Sequence, residues 1–368
     1  MRVIDLDYQA RTRGFQEWVE NRLQTEVCTA ATFRYRNEIG AFIDRYMALM
    51  NPRERALESA NEYRDFELAP FIYSGIYKKH AFEACSTVQN GFEYIGLSSG
   101  AVIQLINLYR TLLASAVFLD GYGNSSQEIN EMKKLKQSLL PQARATSFLK
   151  PACPQREQLA FTLATTALTF IWSHEDEHLL LGHDLLHAAA SGRGEYLFPS
   201  LELAADRRAL HHSRKVFSNF AAVSSPLNQF RPAQQEAIWL STLVLMFLWL
   251  DVRPHTSPSH PSPHLRLANL AHHFVHDGND FESRREALFN QITKHCLSLW
   301  QALAMRRHTI AKLPLQDAMN NVWILHNIEH LHSERIQQAR SARQAERKQR
   351  AEAILARQLG SGFPSTTD

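Results

Sequence analysis

The chain predicts an α+β fold that is predominantly helical, with a small β-hairpin or sheet and one long helix carrying metal-binding residues. Three observations lead there. Residues 155–172 (QREQLAFTLATTALTFIW) form a long helix-compatible stretch without Gly or Pro. The clearest β-favouring runs are two, placed on either side of Asn90-Gly91, a strong hairpin signal. At 368 residues, 45% hydrophobic and 21% charged, the chain can also bury a sizeable core in one large or two ordinary domains.

Taken in order, residues 1–75 are charge-rich and form an N-terminal helical region, broken and restarted at Asn51-Pro52. A core over residues 76–276 begins with the hairpin, and a helix follows from about Ser98. Residues 121–154 carry Gly, Asn, Ser and Pro and read as a connection. The helix from Gln155 then runs through His174–His178 into LLLGHDLLHAAASG, a stretch that ends on a Gly-containing stop. Pro199 and Ser200 open the next helix, LELAADRRALHH. Ala237–Leu250 is apolar throughout, but this length of helix spans only about 21 Å against the roughly 30 Å of a bilayer core. A buried core helix is therefore expected there, and no transmembrane span. The loop RPHTSPSHPSPH places four prolines and three histidines in residues 253–264, which stiffens the backbone. Further helices occupy 277–332, and 333–368 form a basic polar helix with a disordered tail.

The chemistry concentrates in two of these helices. Residues 174–178 read His-Glu-Asp-Glu-His, and Glu202-Leu-Ala-Ala-Asp206 begins 24 positions after His178. On a helix, His174 and His178 share a face four residues apart and can reach one metal, while Glu175 points beside them toward the water on that metal. Glu202 is the expected third ligand. Two histidines, a glutamate and one open position suit a catalytic zinc, one Zn2+ per chain. Glu202 and Asp206 repel one another on one helix face unless a cation lies nearby. Metal on Glu202, with Asp206 accepting from a ligating imidazole, answers that repulsion.

The ordered set NGFEYIGLSSG, HEDEH, ELAAD and SHPSPHLRLANL resembles the gluzincin-type zinc peptidases typified by HtpX and the CAAX prenyl proteases. It is also similar to soluble relatives, among them the phage-exclusion Lit peptidases. The resemblance covers roughly residues 84–275 and implies a zincin-like core, a role in phage defence being one context among those relatives. By that likeness His174, His178 and Glu202 are metal ligands, Glu175 the general base and Asp206 the partner of a ligand. His260 and Arg266 fall in the segment that steadies the reacting carbonyl, Arg266 as direct support or as an anchor of the loop. The strand from Phe92 to Leu97, with Phe92, Tyr94 and Gly96, corresponds to the edge on which an extended peptide lies. The chain departs from the pattern at Asp176 and Glu177, where uncharged residues are usual. These two require a wet side of the helix.

Other readings compete. HEDEH also fits an inverted motif with Glu177 as base, and His326-Asn-Ile-Glu329-His330 repeats that inverted pattern. Leu181 and Asp184 stand where a metzincin needs glycine and histidine, and no Gly-x-Ser-x-Gly elbow occurs. His183, His187, His211 and His212 read as packed or solvated rather than as ligands. A ferritin-like di-iron protein is the alternative from another class, using Glu175-x-x-His178 and Glu329-x-x-His332. A third is a non-catalytic metal-binding interaction protein. Residues 333–357 carry seven Arg or Lys against three Glu, +4 within a chain of net +3, which leaves −1 for the remainder. Nucleic acid is the partner class such a tail invites, although no aromatic residue is interleaved for base stacking. Cys28, Cys85, Cys153 and Cys296 are widely spaced, which favours free thiols. With an N-terminus lacking a secretory signal, a cytoplasmic enzyme acting on a protein or peptide substrate is expected.

Overall fold

The computed structural model describes residues 2–28, 72–89, 92–114, 118–119, 122, 150–151, 153–189, 197–223, 225–251, 260–276, 282–302 and 315–360. They fall into two compact units: Met1–Gly100 with His178–Ser191 and Ser333–Asp368, and Ala101–Glu177 with Gly192–His332. The fold is predominantly helical with one small mixed sheet, the α+β class expected.

The first unit holds α1 (Arg2–Asn21) and the strands β1 (Val27–Cys28), β2 (Ile72–Tyr77), β3 (Ala84–Gln89) and β4 (Phe92–Ser98). Their order is β1-β2-β4-β3, with β2 and β4 parallel and the other pairs antiparallel. The hairpin falls where the sequence predicts it, Gln89 pairing Phe92 across Asn90-Gly91. Its second strand is central, however. β4 is hydrogen-bonded to β2 on one side and β3 on the other, so Phe92, Tyr94 and Gly96 do not line a free edge. Alternation cannot reveal this, because a strand flanked on both sides and covered on its faces reads as continuously apolar. α1 covers the sheet, and Phe15, Trp18 and Val19 pack with Tyr77 and Tyr94 into one core. Gly75 on β2 admits Phe15: a Cβ there would lie 2.2 Å from the ring. The helical region expected over 1–75 thus contains β1 and part of β2 as well, and residues 29–71, Asn51-Pro52 included, lie outside the described residues.

Two helices complete this unit, α4 (His183–Ala189) and α11 (Ser333–Gly360). The polar tail is helical as predicted, but its cations are not all solvated. Ala339, Arg343 and Arg347 form a buried stripe at four-residue spacing. Arg347 Nε donates to Glu93 Oε1 at 2.8 Å, with both side chains fully buried. Arg343 donates to Asp184 Oδ1 at 2.6 Å. Glu93 is buried with its partner while Asp184 is exposed, and in both pairs a planar guanidinium suits the carboxylate better than an ammonium would. The tail predicted as disordered, residues 361–368, lies outside the described residues.

Among the described residues the regular structure of the second unit is helical: α2 (Ser99–Ala114), α3 (Pro154–Leu180), α5 (Leu197–Val223), α6 (Ser225–Asn228), α7 (Pro232–Asp251), α8 (Pro263–His276), α9 (Glu282–Ala302) and α10 (Leu315–Leu331). Pro154 opens α3 at a position where its missing N–H costs nothing. α7 is apolar all round, and its residues Ile238–Trp249 are buried; by length and composition it could cross a membrane. α8 packs against α5, α7, α9 and α10 and so lies at the centre of the helical layer. Buried Arg156 donates to the carbonyls of Leu113, Phe118, Leu119 and Tyr122, which ties the start of α3 to the end of α2. The four cysteines are free.

Candidate metal centre

The residues expected to hold a metal sit on α3 and α5. The boundary between the units cuts α3 after Glu177, but the helix itself continues to Leu180, so His174 and His178 keep their four-residue spacing on one face. Ligand atoms of His174, His178 and Glu202 lie mutually within 4.8 Å. His174 Nε2 is 3.2 Å from Glu202 Oε2, and His174 Nδ1 is 2.9 Å from Asp206 Oδ1. Glu202 and Asp206, one turn apart on α5, therefore take the two nitrogens of one ring. Arg266, on the first turns of α8, answers their repulsion: its Nε donates to Asp206 Oδ2 at 2.7 Å and its terminal nitrogen to Oδ1 at 2.5 Å. Its guanidinium also lies 5.2 Å over the Phe247 ring of α7.

Burial works against charge here, and the ionic partners outweigh it. Asp206 is fully buried, which alone would raise its pKa, yet the Arg266 charge and hydrogen bond hold it below the usual carboxylate range. Burial and the Arg266 charge push His174 down, but hydrogen bonds with Asp206 and Glu202 prevail and raise it to about 9. Arg266 is held above its ordinary value by Asp206, then by Glu202 and Glu175, against its own desolvation. The His174 ring thus lies between two carboxylates, one at each nitrogen, where a positive charge is favoured.

Glu175 is half-buried beside His174. His260 Nε2 stands 3.7 Å from Glu202 Oε2, with about half of its side chain exposed. Arg266 was expected either to support the reacting carbonyl or to anchor the proline-rich loop, and its hydrogen bonds run to Asp206, its terminal nitrogen lying 3.4 Å from His174 Nδ1, whose proton Asp206 accepts. Residues 252–259 of that loop, His255 included, lie outside the described residues.

Several contacts were not read from the sequence. Glu177 does not face water: it is buried and ion-paired with Arg208 of α5 at 3.3 Å. The signal was Arg208, six residues beyond Glu202 on the same helix. His178 Nδ1 lies 2.5 Å from Nδ1 of buried His183. α3 also stops short of the predicted Gly-containing end, because Gly182 adopts φ +65° and the chain restarts as α4. His212 Nδ1 meets Ser173 Oγ at 2.8 Å, His211 is exposed, and the side chain of His187 is outside the described residues. Glu329, which the di-iron reading needs, is paired with Arg207 at 3.0 Å.

No curated protein matches the chain, and no solved structure does. A family does: residues 118–285 match Peptidase U49, a span that contains every candidate ligand and catalytic residue from His174 to Arg266, and the match supports a peptidase.

Proposed function

We propose that the chain is a zinc-dependent endopeptidase acting on a protein substrate, with Glu175 as general base. The observation that carries this reading is the convergence of His174 and His178 of α3, with Glu175 between them in sequence, on Glu202 of α5. Two imidazoles and a carboxylate are a donor set suited to zinc, and three protein ligands leave a position open for water. The raised pKa of His174 supports the fit, since a metal ion would displace that proton.

Zinc held by these residues would lower the pKa of water toward about 7 and polarise the scissile carbonyl. Glu175 takes the proton from the attacking water and returns it to the leaving amine. Asp206, itself gripped by Arg266, fixes the His174 ring so that Nε2 faces Glu202. His260, exposed beside Glu202, donates to the oxygen on which negative charge develops.

Glu175→Gln should keep zinc and lose roughly 10²–10⁴ in rate, while Glu202→Ala should lose zinc. Zinc loss from Glu175→Gln would make that residue a ligand, and unchanged metal content in Glu202→Ala would sink the assignment. Glu177→Gln should retain substantial activity because Arg208 engages that carboxylate. A dead Glu177→Gln enzyme with zinc retained would favour the inverted motif.

A further inference from the structure

We infer that the second unit carries another transition-metal site, built by His272 and His276 of α8 with His326 of α10, and able to take Zn2+ or Ni2+. The helices bring these residues together for a plain reason. α5, α8 and α10 pack through Leu203, Ala268, Val322 and Leu325, with Leu265 and Ile328 beside them. One turn beyond Ala268 lies His272, and one turn beyond Val322 lies His326, so the apolar seam continues as imidazole. Ring centres are 4.5 Å apart for His272 and His276 and 5.3 Å for His272 and His326. His272 and His276 are four residues apart on one helix, the spacing at which two imidazoles reach one ion.

Two further observations point to a ligand. Asn269 Nδ2 donates to Leu203 O at 3.0 Å, so its Oδ1 is the acceptor for His326 Nε2 at 3.1 Å. His326 therefore carries its proton on Nε2 and presents the Nδ1 lone pair, as metal-bound histidines do when a neighbour holds the other nitrogen. Next to it, His273 has its ring centre 5.1 Å from that of His326, and among the described residues its buried Nε2 has no hydrogen-bond partner. A buried nitrogen left in that state is a mark of a missing ion or water. Arg207 is a competing positive charge, and Glu329 at 3.0 Å offsets it. Among the described residues only His174, His178 and Glu202 already have ligand atoms within 4.8 Å, so these imidazoles must turn about their side-chain bonds to close on an ion at about 2.0–2.1 Å.

The test uses the full-length protein loaded with Zn2+, desalted, and measured for bound metal, together with the rise in melting temperature on Ni2+ titration. Wild type should hold a second zinc equivalent beyond the one that Glu202→Ala removes. Combining His272→Gln with His276→Gln should remove that second equivalent and the saturable Ni2+ shift while leaving the first. Exposed His276 gives a variant that spares the core: His276→Gln alone should weaken the second site at least tenfold. A wild-type protein with one equivalent, lost only through Glu202→Ala, overturns the inference, as does a second equivalent that survives both histidine variants. One equivalent lost through the His272 and His276 changes but not through Glu202→Ala would uphold this site and sink the peptidase centre.

Discussion

Asp206 divides its oxygens between an imidazole and a guanidinium while fully buried, so its two neighbours depend on it in different ways. Removing the carboxylate frees the His174 ring to rotate, and Asp206→Ala should weaken zinc affinity by roughly 10–100-fold, read by competition with a chelator. Removing Arg266 leaves a buried, unbalanced carboxylate. Arg266→Ala should therefore cost about 3–5 kcal/mol in chemical denaturation, with Arg266→Lys less damaging because the charge remains and only the fork is lost. An unchanged denaturation midpoint in Arg266→Ala would make this pair ornamental. In the proposed mechanism His260 serves the reaction rather than stability, half of its side chain being in solvent. His260→Ala should lower kcat by roughly 10²–10³ with KM little changed. Full kcat in a zinc-loaded His260→Ala enzyme would leave that residue a loop component.

Helix by helix, what was legible followed from local rules. The hairpin at Asn90-Gly91, the helix holding His174–His178 and the buried α7 were each announced by turn chemistry or by uninterrupted apolar pattern. What escaped depends on partners distant in sequence. That β4 is central is decided by β2, and that Glu177 is dry is decided by Arg208. Similarly, Arg343 and Arg347 look solvated in a helix that is polar overall, although Ala339 at the same spacing hints at a contact face. Gly182 ends α3 although the apolar pattern continues beyond it into α4. Its φ of +65° places it where an L side chain is strained, and a Cβ would sit 2.9 Å from the Ala339 carbonyl oxygen. Gly182→Ala should thus lower stability by at least about 1–2 kcal/mol, and a urea midpoint equal to wild type would contradict the strain.

At the scale of the whole molecule, acid should be destabilising for a reason separate from the metal centre. Burial, then Arg207 and the neighbouring imidazoles, pull His273 down to about 2, and His272 and His326 are also lowered from 6.5. The unfolded chain therefore binds these protons first. Stability contributed by the neutral rings is present above pH 6.5 and is lost progressively as pH falls below it. Melting temperatures at pH 7.5, 6 and 5 should decline, and the decline should be shallower in His273→Phe. A pH-independent melting temperature over that range would rule this out.

The buried pair of Glu93 and Arg347 joins residues 254 positions apart. During synthesis at 5–20 residues per second, β4 leaves the ribosome about 13–50 s before its cation exists. A carboxylate that cannot be buried alone keeps the nascent strand hydrated through that interval, so the sheet of the first unit matures only when α11 has been made. It precedes that helix in sequence and follows it in time.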